Sequence, residues 1–233
     1  MSIDDNAIAP PQQAGSRLGH LALHYAPGDE QQARRLLELM GFTLVDNGPA
    51  PGRDGFCTVL LDGDEDRRAD NVMFLSQLPA EQIALERAIR EALASDESAD
   101  HELVGRFRAL ASEKPEITSH IGIRIERLAE LESIIAGLEA AAAPGGELEG
   151  RIEIVKYRPR PGGITEDDDR AVAAQIAASA AFDGDEQISF ARHWIQCFVS
   201  TDLCGFGILS FGSTFELDYV FEPFFVEPVR FGS

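Results

Sequence analysis

Short apolar runs alternate with helix-spaced apolar positions along this chain. The pattern predicts a strand over 18–25, and then a helix that Gly41 ends. Within that helix the apolar positions recur at helical spacing, at Ala33, Leu36, Leu37 and Met40. Three further strands are predicted, each bounded by Gly, Pro or Asp: 42–45, 56–61 and 72–75. The first part of the chain therefore predicts the order β-α-β-β-β.

The second part of the chain repeats this order. A strand over 117–125 precedes a helix whose apolar positions run from Leu128 to Leu138. Three more strands are predicted over 151–157, 194–201 and 208–221. An insertion at 159–192, with an alanine-rich helix over 165–182, separates the second and third strands of this copy.

The repeat predicts an α+β fold built from two βαβββ modules in one domain over 17–233. Module one covers 17–78, connecting helices cover 79–115, and module two covers 116–224. Residues 1–16 are rich in Pro, Gln and Ala and lack the pattern of a secretory signal, so they are predicted to be a disordered tail.

A six-residue sequence motif occurs near the start of each module. His20-Leu-Ala-Leu-His-Tyr25 and His120-Ile-Gly-Ile-Arg-Ile125 both read as His, apolar, small, apolar, basic, apolar or aromatic. Alternate residues of a strand share a face, so His20 and His24 lie on one face of the first strand. His120 and Arg124 lie on the equivalent face of the second. Two histidines at equivalent positions favour a metal or active site between the modules.

Composition narrows the range of partners. The chain has 20 basic and 40 acidic residues, a net charge of −20, which disfavours nucleic acid and anionic membranes as partners. Three cysteines without CxxC spacing fit a reduced, cytoplasmic compartment better than a disulfide framework. No stretch approaches the length of a membrane span. A homodimer is left open.

The last predicted strand contains Glu216 between Phe215 and Leu217. A carboxylate in a buried strand is costly unless it is paired or bound to a metal. Thr214, Glu216 and Asp218 share a face, and an ordinary solvated strand face is the competing interpretation.

The duplicated βαβββ unit, with a His opening each module and a Glu in the terminal strand, resembles the vicinal-oxygen-chelate superfamily. That superfamily includes glyoxalase I, methylmalonyl-CoA epimerase, type I extradiol dioxygenases and bleomycin-resistance proteins. The resemblance covers most of 18–222. It implies paired curled mixed sheets that form a cup about a pseudo-twofold axis, with a metal where the modules meet.

Carried over to this chain, the family's metal-ligand positions fall on His20, His120 and Glu216. Two imidazoles and a carboxylate form the facial triad of non-haem iron sites. The resemblance therefore implies a mononuclear metalloenzyme whose small substrate chelates the ion through vicinal oxygens. Fe(II) is favoured, and Mn, Ni, Co and Zn are the other ions expected.

The chain departs from parts of the family pattern. Glyoxalase I and the epimerases take a fourth ligand from the last strand of module one, where this chain has Phe74 or a neighbour and no Glu. The resemblance thus favours dioxygenase-like chemistry over lyase or isomerase chemistry. The acid–base His of the extradiol enzymes falls near Asn71, which is then at most a substrate-binding residue. His193 matches another family His and is the candidate acid–base residue.

Further residues complete the predicted site. His24 and Arg124 are expected to give the cup a positive wall for a carboxylate, phenolate or enolate. The insertion at 159–192 is either a lid over the cup or a helix packed outside it.

Two rival functions stay open at the level of sequence. One is a metal-free protein that binds or sequesters a small molecule in the same cup. The other is an interaction protein whose acidic surface and extra helices serve a partner.

Overall fold

The structure is a computed structural model that describes most of both modules. The described residues are 20–47, 56–62, 71–93, 102–160, 166–182, 184, 186–189, 194–205 and 213–221. The predicted N-terminal tail and the first part of the strand predicted over 208–221 lie outside these ranges.

Module one has the predicted order β-α-β-β-β. Its elements are β1 (His20–Tyr25), α1 (Glu30–Leu39), β2 (Thr43–Asp46), β3 (Cys57–Leu60) and β4 (Val72–Gln77). Helix α1 buries Ala33, Leu36 and Leu37, the stripe that the sequence predicts. Gly41 follows the helix at φ 87°, the left-handed conformation in which glycine commonly ends a helix.

Two helices connect the modules, as the sequence predicts. They are α2 (Ala80–Leu93) and α3 (Glu102–Glu113), and a short 3-10 turn over Pro115–Ile117 leads into module two. Both helices have exposed apolar side chains, since Leu85, Phe107 and Leu110 are 46%, 47% and 39% exposed.

Module two repeats the order and includes an insertion. Its elements are β5 (His120–Arg124), α4 (Leu128–Ala142), β6 (Ile152–Arg158), α5 (Glu166–Ala178), β7 (Gln187–Ile188), β8 (Trp194–Thr201) and β9 (Ser213–Val220). The sequence predicts all of these except β7, which is only two residues long and which no apolar run marks.

The two sheets have the same strand order. Module one forms a four-stranded sheet in the order β1-β4-β3-β2, and module two a five-stranded sheet in the order β5-β9-β8-β6-β7. The first strand of each module pairs in parallel with the last, and the remaining neighbours are antiparallel apart from β6 and β7. The predicted α+β class and the repeated βαβββ order are confirmed. The added strand β7 lies at the far edge of the second sheet.

One face of each sheet packs against the helix of its own module. In module two this face carries Ile123, Cys197, Phe215 and Leu217, and α4 buries Leu131, Ile134 and Leu138 against the core. Most of the buried apolar residues that the structure describes form one cluster that includes both modules. The opposite face of each sheet carries polar and aromatic residues, which are described below.

Packing, ion pairs and backbone hydrogen bonds join the modules. Helices α1 and α4 pack closely, because a Cβ at Gly137 would lie 3.5 Å from Leu39 Cδ2. Arg151 of module two donates to Gln32 at 2.7 Å and pairs with Asp29 at 3.1 Å. The backbone of His24 exchanges two hydrogen bonds with Gly205, at 2.8 and 2.9 Å, which ties β1 to the segment that follows β8.

Candidate active site on module two

The strand register places a set of polar side chains on one face of the second sheet. Gly122, Glu216 and Phe198 form one row across β5, β9 and β8. The adjacent row across the same strands is Arg124, Asp218 and Gln196. His120 and Thr214 form the row on the other side. We call this surface the module-two polar face: His120, Gly122, Arg124, Trp194, Gln196, Phe198, Thr214, Glu216 and Asp218.

His120 and Glu216 meet at the centre of this face. The Nε2 atom of His120 lies 2.8 Å from Glu216 Oε2. The Nδ1 atom lies 2.8 Å from the carbonyl oxygen of Thr118, so Nδ1 carries a hydrogen and donates it. The contact between Nε2 and Oε2 then needs a second proton, held between the two atoms. A divalent ion would take the place of this proton.

The Glu216 carboxylate is buried and is held from its other side. The residue is 7% exposed, and its Oε1 accepts a hydrogen bond from Gln196 Nε2. Gln196 is itself 2% exposed. Both carboxylate oxygens therefore have protein partners, as a buried charge requires.

Asp218 is the second buried carboxyl group on this face. It is 7% exposed and is hydrogen-bonded to Glu216. Burial, with Glu216 beside it, raises the pKa of Asp218 to about 8. Its Oδ1 is buried and has no hydrogen-bond partner within the described part of the chain. An unsatisfied buried oxygen is costly, which makes Asp218 a strong candidate for contact with a ligand.

Gly122 leaves space beside the two carboxyl groups. A Cβ at this position would lie 3.8 Å from Glu216 Oε2 and 3.9 Å from Asp218 Oδ2, so oxygens of both side chains lie near one point above Gly122. The backbone of Gly122 is exposed, as is Arg124. The β5 edge therefore gives solvent access to the buried carboxyl groups.

Arg124 and Trp194 form one rim of the face. The guanidinium carbon of Arg124 lies 5.3 Å from the centre of the Trp194 ring, a cation–π geometry. The charge of Arg124 also opposes the rise in the pKa of Asp218. Arg124 is the register partner of Asp218, whereas His24, the other residue of the predicted positive wall, contacts Ser76 on module one.

The equivalent face of module one is less polar. His20 stacks against Phe74, with ring centres 5.1 Å apart, and His24 Nδ1 lies 3.1 Å from Ser76 Oγ. In the register Phe74 pairs with Ala22 as Glu216 pairs with Gly122. Phe74 therefore occupies the position of Glu216, where the sequence predicts Phe74 or a neighbour, and at this pair of strand positions the carboxylate belongs to module two.

Asn71 is the remaining predicted site residue that the structure describes, and it belongs to module one. Asn71 is exposed, precedes β4 and has φ 59°, a left-handed conformation that asparagine tolerates. Asn71 immediately precedes Val72, which is the register partner of His20 in β1. His193, the candidate acid–base residue, lies outside the described residues.

The predicted metal ligands are only partly brought together. His120 and Glu216 are in contact, whereas His20 lies against Phe74. Across the described ranges, no three His, Cys, Asp or Glu side chains gather as a group that could hold a metal ion. His120 and Glu216 thus fit a metal centre as two adjacent donors, but the full triad implied by the resemblance is not assembled.

Sequence reasoning did not identify Asp218 and Gln196 as site residues. The face of Thr214, Glu216 and Asp218 was open to interpretation as solvated, and this interpretation is wrong because all three residues are at most 7% exposed. Gln196 lies in a strand with apolar neighbours on both sides, and a polar residue in such a strand is the one available signal. That signal does not reveal its partner, which is 20 residues away in sequence.

Comparison of the chain with protein-family models, with curated proteins and with solved structures gives no match. In the part of the chain that the structure describes, no helix is long and apolar enough to cross a membrane.

Proposed function

We propose that the protein is a mononuclear metal-dependent enzyme that acts on a small molecule with two adjacent oxygens. The site is the module-two polar face, and the chemistry is of the dioxygenase type. The observation that carries the proposal is the contact of His120 with Glu216 on a buried polar face that is open to solvent at Gly122.

The orientation of His120 supports metal binding. A metal-bound histidine typically donates its other ring N–H to a carbonyl or carboxylate, and Thr118 supplies that carbonyl here. His120 Nε2 and Glu216 Oε2 are then the two donor atoms of the centre. An ion held there supplies Lewis-acid chemistry, with Fe(II) favoured and Mn, Ni, Co or Zn as alternatives.

The third donor in the proposal is His20. The proposal takes the two sheets as a pair of cups about a pseudo-twofold axis, with His20 reaching the centre from module one. In the described arrangement His20 lies against Phe74, so it must leave that ring to bind the ion. This requirement makes substitution of His20 the sharpest test of the triad.

Other residues of the face are proposed to bind the substrate. Arg124 provides positive charge for an enolate, phenolate or carboxylate oxygen at the rim. Asp218 holds a proton beside Glu216, and its buried Oδ1 has no hydrogen-bond partner among the described residues. Phe198 packs edge-on against His120, with ring centres 5.8 Å apart, and supplies an apolar wall.

A metal-free binding protein is the second candidate. Two observations favour it: both oxygens of Glu216 already have protein partners, and three ligands are not gathered. In this case the face binds the same class of oxygen-bearing ligand through Arg124, Asp218 and the His120–Glu216 pair. Lyase or isomerase chemistry with four ligands is less favoured, because Phe74 occupies the position of the fourth.

Metal analysis distinguishes the two candidates. Purified protein, and chelated protein reconstituted separately with Fe(II), Mn, Ni, Co or Zn, is assayed for bound metal by mass spectrometry. The metalloenzyme proposal predicts about one ion per chain, lost in His120→Ala and Glu216→Gln. His24→Ala is the matched control, since His24 bonds Ser76 and not Glu216.

His20→Ala tests the triad separately. Loss of metal in this variant supports ligands from both modules, and retention assigns the centre to module two alone. Wild-type protein that retains none of the five ions overturns the metalloenzyme proposal and leaves the binding protein.

A further inference from the structure

The insertion of module two returns to the sheet at its end. Strand β7 pairs with β6, where Tyr157 faces Gln187 and Arg158 faces Ile188. Both residues of β7 are exposed. The next residue, Ser189, is 1% exposed, and its N–H donates to the carbonyl of Arg158 at 2.9 Å. The end of the insertion therefore places the Ser189 side chain in the interior.

The Ser189 side chain begins a chain of hydrogen bonds that ends at the candidate centre. Its hydroxyl donates to Gln196 Oε1, and Gln196 Nε2 donates to Glu216 Oε1. The other carboxylate oxygen, Oε2, then faces His120 Nε2 at 2.8 Å. We call Ser189, Gln196 and Glu216 the relay. All three side chains are buried, so water does not compete for these bonds.

The chemistry of the amide fixes the direction of this relay. A carboxylate oxygen accepts hydrogen bonds, so the NH₂ end of Gln196 faces Glu216. The carbonyl end is then left in the interior and needs a donor, which the Ser189 hydroxyl supplies. With both ends bonded, the amide holds Oε1 of Glu216 and directs Oε2 towards His120.

We infer that Gln196 is a positioning residue for Glu216, and that the insertion, through Ser189, sets the orientation of Gln196. The insertion is then neither a lid alone nor an external decoration, because its last part supports the site from within the sheet. This links two features of module two, since Glu216 and the insertion both belong to it, whereas module one has Phe74 at the position equivalent to Glu216. The metal readout below rests on the proposed function, and the amide readout does not.

The first experiment observes the Gln196 side-chain amide directly by ¹H–¹⁵N NMR on chelated, full-length protein. The signal is identified by its loss in Gln196→Met. The wild-type amide is expected to exchange slowly with solvent, and Ser189→Ala is expected to shift the signal and speed its exchange. Ser189→Thr, which keeps the hydroxyl, restores the slow exchange. Ser200→Ala is the matched control, because Ser200 bonds Thr214 on the same strands and belongs to a different pair.

The second experiment titrates the same chelated proteins with Co²⁺ and follows its visible absorption. Outer-shell partners typically change metal affinity about 10–100-fold, so Ser189→Ala and Gln196→Met are expected to weaken binding by that factor. Ser189→Thr and Ser200→Ala are expected to bind as the wild type does. Gln196→Met tests the relay from its other end if Ser189→Ala does not fold.

The two readouts separate the possible failures. A wild type that binds no Co²⁺ counts against the metal centre, and the amide signal still decides the relay. A Gln196 amide that is the same in Ser189→Ala and the wild type overturns the inference. The inference is also overturned if Co²⁺ affinity falls equally in Ser189→Ala and Ser200→Ala, since the effect is then a general loss of packing.

Discussion

At the scale of single residues, the unusual feature is the pair of adjacent carboxyl groups inside the second sheet. Glu216 has partners for both oxygens, whereas Asp218 bonds Glu216 and leaves Oδ1 without a partner in the described ranges. Two carboxyl groups in contact in an interior keep a proton between them, because two adjacent buried charges repel. Stability is therefore linked to pH.

Burial raises the pKa of Asp218 from 3.8 to about 8, so the folded chain binds this proton more tightly than the unfolded chain. The stability from this proton is complete below the unfolded pKa and is lost as the pH rises through the folded pKa. The free energy of unfolding of the wild type, relative to Asp218→Asn, should therefore fall between about pH 4 and pH 8, by on the order of a few kcal/mol.

Urea unfolding of chelated protein across this pH range measures the difference. Glu126→Gln, a change at an exposed residue, is the control and should run parallel to the wild type. Parallel profiles for the wild type and Asp218→Asn would contradict a proton held by the pair.

The sequence predicted Glu216 in the last strand of module two and Phe74 or a neighbour at the equivalent place in module one. The strand register makes Glu216 and Phe74 equivalent, because both lie at defined positions in regular strands. Once the strands are placed, a two-residue period determines which side chains share a face. Burial of that face depends on what covers it. Asp218 and Gln196 were therefore missed, since their role comes from contacts between β8 and β9.

At the scale of elements, helix α4 and its C-terminal end carry two glycines with opposite requirements. A Cβ at Gly137 would make an ordinary contact, 3.5 Å from Leu39 Cδ2. A Cβ at Gly146 would lie 2.3 Å from the carbonyl oxygen of Ala141, which is too close for any side chain. Glycine is needed at the second position and is tolerated at the first.

Substitution by alanine should therefore have opposite effects at these positions. Gly137→Ala should stabilise the protein by up to about 1 kcal/mol, the difference in helix propensity. Gly146→Ala should destabilise it by about 1–3 kcal/mol, because the backbone must shift. Thermal unfolding of both variants under identical conditions measures this, and a loss of stability in Gly137→Ala would show that α1 and α4 pack more tightly than the structure indicates.

Element types were predicted well because long periodic runs determine them. Strand β7 was missed, since two exposed residues have no period. Its pairing with β6 is a tertiary effect, created by the return of the insertion to the sheet edge.

At the scale of the whole molecule, one core spans both modules. Arg151 spans the same boundary, pairing with Asp29 of module one and Asp202 of module two at 3.1 and 2.9 Å. Its side chain is 27% exposed, so the pairs are partly protected from solvent. The modules are therefore expected to unfold together.

Arg151→Met should lower the free energy of unfolding by about 1–2 kcal/mol while the transition stays single. The apolar stem is kept, so the change removes mainly the charged bonds. Differential scanning calorimetry gives the change in stability and the number of unfolding transitions. Arg106→Met is the control, because the pair of Arg106 with Glu102 is exposed. Two separate transitions in the wild type would contradict a shared core.

The sequence by itself determined the repeated βαβββ order, the alternation of side chains between strand faces, and the place of Glu216 in the last strand of module two. Local periodicity and turn residues carry that information, since they depend on neighbours along the chain. Only the tertiary structure decided that Asp218 is buried beside Glu216, that Gln196 and Ser189 hold the carboxylate, and that His20 lies against Phe74. These relations join residues that are distant in sequence, and packing between strands, insertion and modules sets them.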